Sequence, residues 1–339
     1  MNTDLIDEIK GLLAQPKKIV IVPHRNPDGD AMGSSLGLGK FLENTGHDVQ
    51  VVLPNDIPDF LKWMPGVENT YNFEKQNQQS VRALEGAELV FVVDFNAFHR
   101  VGDVMGTKLE SLEAKFVMID HHQQPDPISK FIYSDTSMSS TCEMVYHFIT
   151  LLGAQKYIDS DVATCLYTGI MTDTGSFKFR STTSITHRVA ADLIEAGADN
   201  NSIHNEVYDQ NSFNRLQLLG QALQNLKIIE DCNTAYITLS NEELERYDFQ
   251  KGDTEGIVNY ALSIKGIVLA AIFIEDSGQG IIKISLRSKG SFSVNQFARS
   301  YFNGGGHDNA AGGKSDDNLE QTALYFENLV RENKKKIHE

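Results

Sequence analysis

Residues 17–30 read KKIVIVPHRNPDGD, a short apolar run that leads into one histidine and two aspartates. An uninterrupted apolar run of this length is typical of a strand buried on both faces, as in a parallel sheet. Similar runs lie at 47–54, 88–95 and 115–121. Helical patterns lie between or after them, at 31–45, 140–152 and 161–171. This alternation predicts an α/β domain with a mainly parallel sheet.

The character of the sequence changes near residue 187. Residues 202–225 are polar, rich in Asn and Gln, and helical in period, so we predict a helical linker over 187–225, with a peripheral part of the first domain as the alternative. A second pattern follows, with strands at 233–239, 267–275 and 280–287 and helices near 241–247, 254–264, 293–302 and 318–335. The predicted organisation is therefore a larger domain over 1–186 and a smaller αβ domain over 226–339, with the active-site cleft between them.

Composition limits the class of protein and its partners. The 339 residues include 30 Lys and Arg against 46 Asp and Glu, a net charge of −16, and 41% are hydrophobic. This mixture excludes a disordered or collagenous chain, and the acidic charge disfavours binding to long duplex DNA. No apolar run approaches the ~20 residues that span a bilayer. The N-terminal segment does not have the order of a signal peptide, and the three cysteines form no CxxC, so we expect a cytoplasmic protein with reduced thiols and no membrane partner.

Three of the predicted strands end in acidic and histidine side chains. They are His24, Asp28 and Asp30 at the end of the first, Asp94 at the end of another, and Asp120, His121 and His122 at the end of a third, while Asp173 lies at the end of a predicted helix. Because the carboxyl ends of parallel strands lie at one edge of a sheet, these side chains can converge on one crevice.

Each of these residues also has a purely structural interpretation. Asp30 suits the N-cap of the following helix, while Asp94 and Asp173 suit loop or turn positions. The two histidines could be satisfied by hydrogen bonds within the fold. The coincidence of all of them at one sheet edge favours a functional site.

The residue types point to divalent metal ions. Two imidazoles and four carboxylates are available, from His24, Asp28, Asp30, Asp94, His121 and Asp173. Oxygen-rich sets of this kind favour Mn²⁺ or Mg²⁺, with Zn²⁺, Co²⁺ or Fe²⁺ as alternatives. Two divalent ions would balance the four negative charges, and two ions ~3.5–4 Å apart stabilise both oxygens of an in-line displacement. The expected chemistry is phosphoester hydrolysis by a water bound between the ions.

These motifs resemble the DHH phosphoesterase superfamily. His24-x₃-Asp28-Gly-Asp30, Asp94, Asp120-His121-His122 and Thr172-Asp173-Thr174-Gly175 occur in the order of that family. The resemblance implies one metal held by His24, Asp28 and Asp94, and a second held by Asp30, Asp94, His121 and Asp173. It also implies that His122 contacts the substrate phosphate and protonates the leaving group, that Asp120 orients the histidine pair, and that the chain forms a homodimer.

The C-terminal half resembles the domain that accompanies this family. Its Gly-rich motif is similar to GGGHDNAAGG, residues 304–313, in which Gly304, Gly305 and Gly306 would bring backbone amides close to an anion and His307 would add a donor. The alternative is a long flexible loop. Arg287 matches a strand-end arginine that holds substrate in such domains, with a solvated strand end as the alternative.

Two further residues match family features less closely. Ser140 lies in the family's Ser-Ser-Thr segment and is expected to contact substrate, although Ser140-Thr-Cys-Glu143 also fits a capping box. Arg180 is expected near the metals, where it could meet a phosphate; a surface arginine is the alternative.

The GGGH motif, the chain length and the lack of apolar spans discriminate among the substrate classes of the superfamily. The GGGH motif distinguishes the chain from the pyrophosphatases, and it has neither the length of the single-strand exonucleases nor the membrane helices of the cyclic-dinucleotide phosphodiesterases. What remains is the compact two-domain form, which resembles the nano-RNase group. This resemblance implies two Mn²⁺ per subunit, with Mg²⁺ or Co²⁺ as substitutes. The implied substrates are short oligoribonucleotides and mononucleotide bisphosphates such as 3′-phosphoadenosine-5′-phosphate.

Three alternatives stay open at this point. The first is an exopolyphosphatase or pyrophosphatase. The second is a nucleotide sensor without catalysis, which the complete ligand set disfavours. The third is a tRNA-contacting module, which the acidic charge disfavours.

Overall fold

The computed structural model describes residues 3–338 and divides the chain into two compact units, Met1–Gln210 and Asn211–Glu339. The helices predicted as a linker are shared between these units. Those at Ser184–Glu195 and Asn200–Tyr208 belong to the first unit, and the one at Phe213–Gln224 belongs to the second. The functional boundaries at 186 and 226, and the cleft between the domains, stay predictions.

The first unit is built around a parallel sheet. Its strands are β1 (Lys18–Val22), β2 (Asp48–Leu53), β3 (Tyr71–Asn72), β4 (Leu89–Val93), β5 (Lys115–Asp120) and β6 (Phe131–Ser134). They lie in the order β3-β2-β1-β4-β5-β6, and every neighbouring pair is parallel. Its helices are α1 (Thr3–Leu12), α2 (Gly29–Asn44), α3 (Asn77–Gly86), α4 (Asp103–Glu110), α5 (Thr141–Leu152), α6 (Ser160–Asp173), α7 (Ser184–Glu195) and α8 (Asn200–Tyr208).

The two faces of this sheet are buried under different helices. Ile19 and Ile21 pack with the core formed by α2, α5 and α6, whereas Val20 and Val22 pack with residues of α3 and α4. Burial on both faces explains why the strand sequences are continuously apolar. The predicted α/β fold with a mainly parallel sheet is therefore confirmed, although β3 and β6 were not predicted.

The second unit contains a mixed sheet. Its strands are β7 (Lys227–Ile229), β8 (Thr234–Leu239), β9 (Leu269–Asp276), β10 (Ile281–Ser288), β11 (Gly305–His307) and β12 (Ala310–Ser315), in the order β11-β12-β10-β9-β8-β7. Only β8 and β9 pair in parallel. Its helices are α9 (Phe213–Gln224), α10 (Asn241–Arg246), α11 (Ile257–Ser263), α12 (Val294–Tyr301), α13 (Leu319–Glu332) and α14 (Lys334–His338).

The helices of the second unit divide between the two faces of its sheet. The apolar side chains of α12 and α13 pack with Phe273 and Ile284 on one face, and those of α9, α10 and α11 pack with Ala235 and Ile272 on the other. Across residues 3–338, no helix has both the length and the apolar character needed to cross a membrane. Location in the cytoplasm stays a prediction.

Candidate metal centre

The strand order of the first unit changes direction beside β1. The chain runs outward from β1 to β3 and then returns to β4 on the other side of β1. Loops after two such strands lead away from each other and leave a crevice at the carboxyl edge of the sheet. His24 lies two residues beyond β1, and Asp94 directly follows β4. Nε2 of His24 lies 3.3 Å from Oδ2 of Asp94.

Two more carboxylates lie at the start of α2. Asp28 is the N-cap of this helix, and its side chain accepts hydrogen bonds of 3.0 Å from the amides of Asp30 and Ala31. The alternative that made Asp30 the N-cap is therefore wrong, because Asp30 already lies within the first turn. The side chain of Asp30 is almost completely buried, whereas that of Asp28 is half exposed.

The start of α5 contacts the carboxylates of both loops. The amide of Thr141 donates to Oδ2 of Asp30 at 2.6 Å, and the amide of Cys142 donates to Oδ1 at 2.9 Å. The hydroxyl of Thr141 donates to Oδ1 of Asp94 at 2.9 Å. Thr141 was not predicted as a site residue. The hydroxyl-rich run at 139–141 is a signal for it in the sequence, but that run also contains Ser140.

The end of β5 contributes the histidine pair. Asp120 is fully buried and accepts two hydrogen bonds from His122, one from its amide at 3.0 Å and one involving its ring Nδ1 at 2.7 Å. Nδ1 of His121 lies instead 3.3 Å from the carbonyl oxygen of Met138. Asp120 thus contacts the His122 ring directly, while its proposed orientation of the whole histidine pair stays a prediction.

Asp173 joins the same cluster from the end of α6. Nε2 of His121 lies 3.5 Å from Oδ2 of Asp173, 3.7 Å from Oδ1 of Asp94 and 3.8 Å from Oδ2 of Asp30. Helix α6 can lie this close because it contains glycine at its contact with α5. A Cβ on Gly169 would lie 2.1 Å from Sγ of Cys142 and 3.0 Å from Oδ1 of Asp30.

The pKa values describe a site crowded with negative charge. Burial disfavours the charged form of both His24 and His121, but nearby aspartates outweigh it and raise both imidazole pKa values to about 9. Burial and neighbouring carboxylates raise the pKa of Asp173 to about 7 and also raise that of Asp30. The pKa of Asp94 is lowered although burial opposes this, because the surrounding histidines stabilise its negative charge.

The donor set fits divalent cations. Three overlapping groups each bring their ligand atoms within 4.8 Å of one another: His24, Asp28 and Asp94; Asp30, Asp94 and His121; and Asp94, Asp120 and His122. Carboxylate oxygens and imidazole nitrogens are ligands suited to such ions, and a cation would neutralise the crowded carboxylates. Asp94 is common to all three groups. The site therefore has the geometry of a metal centre arranged around one shared carboxylate.

The Gly-rich motif of the second unit is a hairpin, so the alternative of a flexible loop is wrong. Strand β11 pairs with β12, and a Cβ on Gly304 would lie 1.9 Å from the carbonyl oxygen of Gly312. Gly306 has φ of +149°, and its amide donates to Oδ1 of Asn295 at 3.1 Å. Gly304 is thus required by a close backbone contact of the hairpin, and Gly306 by its positive φ.

The remaining predicted substrate residues lie on three different elements of the chain. Arg287 lies near the end of β10, and the register places it opposite Ala310, which in turn lies opposite His307. Ser140 is buried as the N-cap of α5 and accepts from the amide of Glu143. Arg180 is exposed after α6. Substrate binding by these residues, and by the three glycines at 304–306, stays a prediction.

Comparisons with known proteins match both units. Residues 18–170 match the DHH family, N-terminal domain, and residues 233–335 match the DHHA1 domain. The bifunctional oligoribonuclease and PAP phosphatase NrnA of Bacillus subtilis is 30% identical over 98% of this chain and 99% of its own. The protein of the same name from Thermus thermophilus is 31% identical over 87% of this chain and 83% of its own. The crystal structure of an exopolyphosphatase-related protein from Bacteroides fragilis has a TM-score of 0.96 at 38% identity, covering 100% of this chain and 98% of its own.

Proposed function

This chain belongs to the DHH family of phosphoesterases and is a hydrolase, and from that premise we propose that it degrades very short RNA. The proposed substrates are di- to pentanucleotides, including linear dinucleotides, with nucleoside 5′-monophosphates as products. A second proposed activity removes the 3′-phosphate of 3′-phosphoadenosine-5′-phosphate to leave AMP. The phosphoesterase part of the proposal rests on Asp94, which belongs to each of the three groups of candidate metal ligands described above. The full-length similarity to named oligoribonuclease and PAP phosphatase relatives supports the choice of substrates.

We infer that the centre holds two Mn²⁺ ions, for which Mg²⁺ or Co²⁺ can substitute. His24, Asp28 and Asp94 would hold one ion, and Asp30, Asp94, His121 and Asp173 the other. When bound, two such ions lower the pKa of a coordinated water and stabilise the charge on both oxygens of a displacement. The pKa of about 9 for each ligand histidine means that metal binding must displace a proton from each ring at neutral pH.

The protein's own groups would position the phosphate and supply a proton. The contact between Nδ1 of His122 and the buried Asp120 fixes this ring, and in our proposal Nε2 then contacts the phosphate and protonates the leaving oxygen. Arg287, His307 and the Gly304–Gly306 backbone of the second unit would bind the terminal phosphate or the base. Arg180 and Ser140 are further proposed substrate contacts. Homodimer formation stays a prediction.

A second candidate function is hydrolysis of inorganic polyphosphate. It is favoured by one observation, the high structural similarity to an exopolyphosphatase-related protein. Arg287 and His307, which lie on either side of Ala310 in the second sheet, could bind either a nucleotide phosphate or a polyphosphate chain. The two functions therefore differ in the substrate and not in the metal centre.

A substrate panel separates the two candidates. Purified protein with Mn²⁺ is offered a 5′-phosphorylated dinucleotide, a 20-nucleotide RNA, 3′-phosphoadenosine-5′-phosphate, pyrophosphate and tripolyphosphate, each with and without EDTA. We expect fast, EDTA-sensitive release of mononucleotide from the dinucleotide and of phosphate from the bisphosphate, with slow cleavage of the long RNA. Fast turnover of tripolyphosphate or pyrophosphate with inactive nucleotides would overturn the proposal in favour of the second candidate.

A further inference from the structure

Thr141 is the residue through which α5 contacts the metal centre. It is the first residue of the helix and is completely buried. Its amide donates to Asp30 and its hydroxyl donates to Asp94, so one residue contacts carboxylates that follow two different strands. Both hydrogen bonds join groups that are far apart in the sequence, and they form only when α5 packs against the sheet edge.

The carboxylate of Asp94 needs such a contact because its orientation is not fixed by its own torsions. The terminal torsion of an aspartate is broad, so the carboxylate rotates easily unless partners hold its oxygens. Oδ2 of Asp94 faces Nε2 of His24 at 3.3 Å. Oδ1 lies 3.7 Å from Nε2 of His121 and from Nδ1 of His122, and it accepts the hydroxyl of Thr141. The two oxygens therefore face different histidines of the site, Oδ2 facing His24 and Oδ1 facing His121 and His122.

The backbone of Asp94 is constrained as well. Its φ of +61° lies in the left-handed region, which non-glycine residues seldom occupy. Its amide donates to the carbonyl oxygen of Ile119 at 3.1 Å. This conformation directs the residue away from the strand, and the hydroxyl of Thr141 then holds the carboxylate.

We propose that Thr141 is a positioning residue that sets the rotation of the Asp94 carboxylate, so that its two oxygens can serve two metal ions at once. This inference rests on the proposed two-ion centre. It does not depend on which phosphate ester is hydrolysed.

Hydrogen bonds of the neighbouring residues fix the position of Thr141, so another donor cannot easily take the place of its hydroxyl. Ser140 caps the helix by accepting from the amide of Glu143 at 3.0 Å. The buried carboxylate of Glu143 accepts from the amide of Ser139 at 3.3 Å and from the hydroxyl of Thr186 at 3.0 Å. Residues on both sides of Thr141 are thus fixed, and removal of its hydroxyl would leave Oδ1 of Asp94 without this donor.

Three variants test the proposal. Thr141→Val keeps the shape of the side chain and the amide that contacts Asp30, but it removes the hydroxyl. Thr141→Ser keeps the hydroxyl. Thr168→Val is the matched control, because Thr168 is equally buried and its hydroxyl donates to a carbonyl of its own helix at 2.7 Å.

The primary readout is calorimetric titration of metal-free protein with Mn²⁺, together with kcat, KM and thermal unfolding. For Thr141→Val we expect at least one Mn²⁺ to bind about 10–100-fold more weakly, with a similar loss in kcat and little change in KM, as is typical when a residue that orients a ligand is lost. Thr141→Ser and Thr168→Val should keep the wild-type Mn²⁺ affinity. If Thr141→Val is unfolded, Thr141→Ala provides the same comparison.

Two results would overturn the inference. One is a folded variant without the hydroxyl that binds two Mn²⁺ with wild-type affinity. The other is a loss of Mn²⁺ affinity in Thr141→Ser as large as that in Thr141→Val. Because the titration contains no nucleotide, its outcome is separate from that of the substrate panel. Weak Mn²⁺ binding by Thr141→Val supports the inference even if the wild type prefers a polyphosphate.

Discussion

The two units of this chain arrange their polar residues in contrasting ways. In the first, parallel strands β1, β4 and β5 all point to one edge, where His24 and Asp94 follow their strands within two residues and Asp120 ends β5. In the second, antiparallel pairing places Arg287, Ala310 and His307 side by side in one row across β10, β12 and β11. Cross-strand partners share a face of the sheet, so this row lies on one face of the second sheet and ends on its outermost strand, β11.

The edge cluster of the first unit and the row of the second unit suit different kinds of ligand. An edge of a parallel sheet concentrates side chains from several loops into a buried cluster, which suits carboxylates that need a cation between them. A row on a sheet face presents a few donors with small residues between them, which suits contact with one end of a ligand. Changes at the edge should therefore affect metal binding, whereas changes in the row should affect only the ligand.

The largest expected effect comes from Asp94→Asn. This change keeps the size of the side chain but removes the charge shared by all three groups of ligands. Loss of a residue that only orients a metal ligand lowers activity by up to about 100-fold. Because Asp94 is itself a candidate ligand, we expect the rate of hydrolysis to fall by more than this. The Mn²⁺ content, measured by elemental analysis after gel filtration, should fall as well.

The exposed Asp161, in the first turn of α6, supplies the control for this change. Asp161→Asn should retain wild-type turnover and metal content. Near wild-type turnover by Asp94→Asn would mean that the edge of the sheet is not the metal centre, and the contrast between the units would then be lost.

A smaller effect is expected from Gly169→Ala, which tests how tightly the edge is packed. The added Cβ would lie 2.1 Å from Sγ of Cys142 and 3.1 Å from Cα of Asp30, so the Cys142 side chain or one of the two helices must move next to Asp30. Overpacking of a buried contact costs about 1–3 kcal/mol. Thermal unfolding should therefore occur at a lower temperature, and Mn²⁺ affinity should fall because Asp30 moves.

Gly220→Ala is the matched control, because Gly220 lies within α9 and a Cβ there has open space. It should be neutral or stabilising by up to about 1 kcal/mol. Equal stability and equal Mn²⁺ affinity of the two variants would show that α5 and α6 can separate without any cost to the centre.

The candidate metal ligands were accessible from the sequence for a physical reason. Buried parallel strands are continuously apolar, so polar residues at their carboxyl ends are conspicuous, and the topology brings them to one edge. His24, Asp94 and His121 could be found in this way. Thr141 could not, because its role depends on hydrogen bonds to Asp30 and Asp94 that are made by the packing of α5 against the sheet edge.

The second unit was harder to predict in detail. Strands β8, β9 and β10 were expected within two residues of their observed limits. The hairpin of β11 and β12 was not, because its glycine-rich sequence lacks the apolar alternation that marks a strand. The close approach of Gly304 to Gly312, which explains this composition, appears only when both strands are in place.

The smallest of these effects is expected from Arg287→Ala and His307→Ala, which change the row and leave the edge intact. Both should raise KM for a dinucleotide by about tenfold, the equivalent of one hydrogen bond to a charged group, with Mn²⁺ content unchanged. Arg246→Ala is the control, since Arg246 is exposed and pairs with Glu242 on α10. Loss of Mn²⁺ from either variant would show that the row belongs to the metal centre itself.

Anomalous diffraction can locate the ions of a two-ion centre arranged around the carboxylate of Asp94. Crystals of the protein grown with Mn²⁺ would be measured on both sides of the manganese absorption edge. We expect two anomalous peaks, one on each side of the Asp94 carboxylate, with His24 and Asp28 at one and Asp30, His121 and Asp173 at the other. A single peak, or peaks that lie away from Asp94, would contradict this expectation.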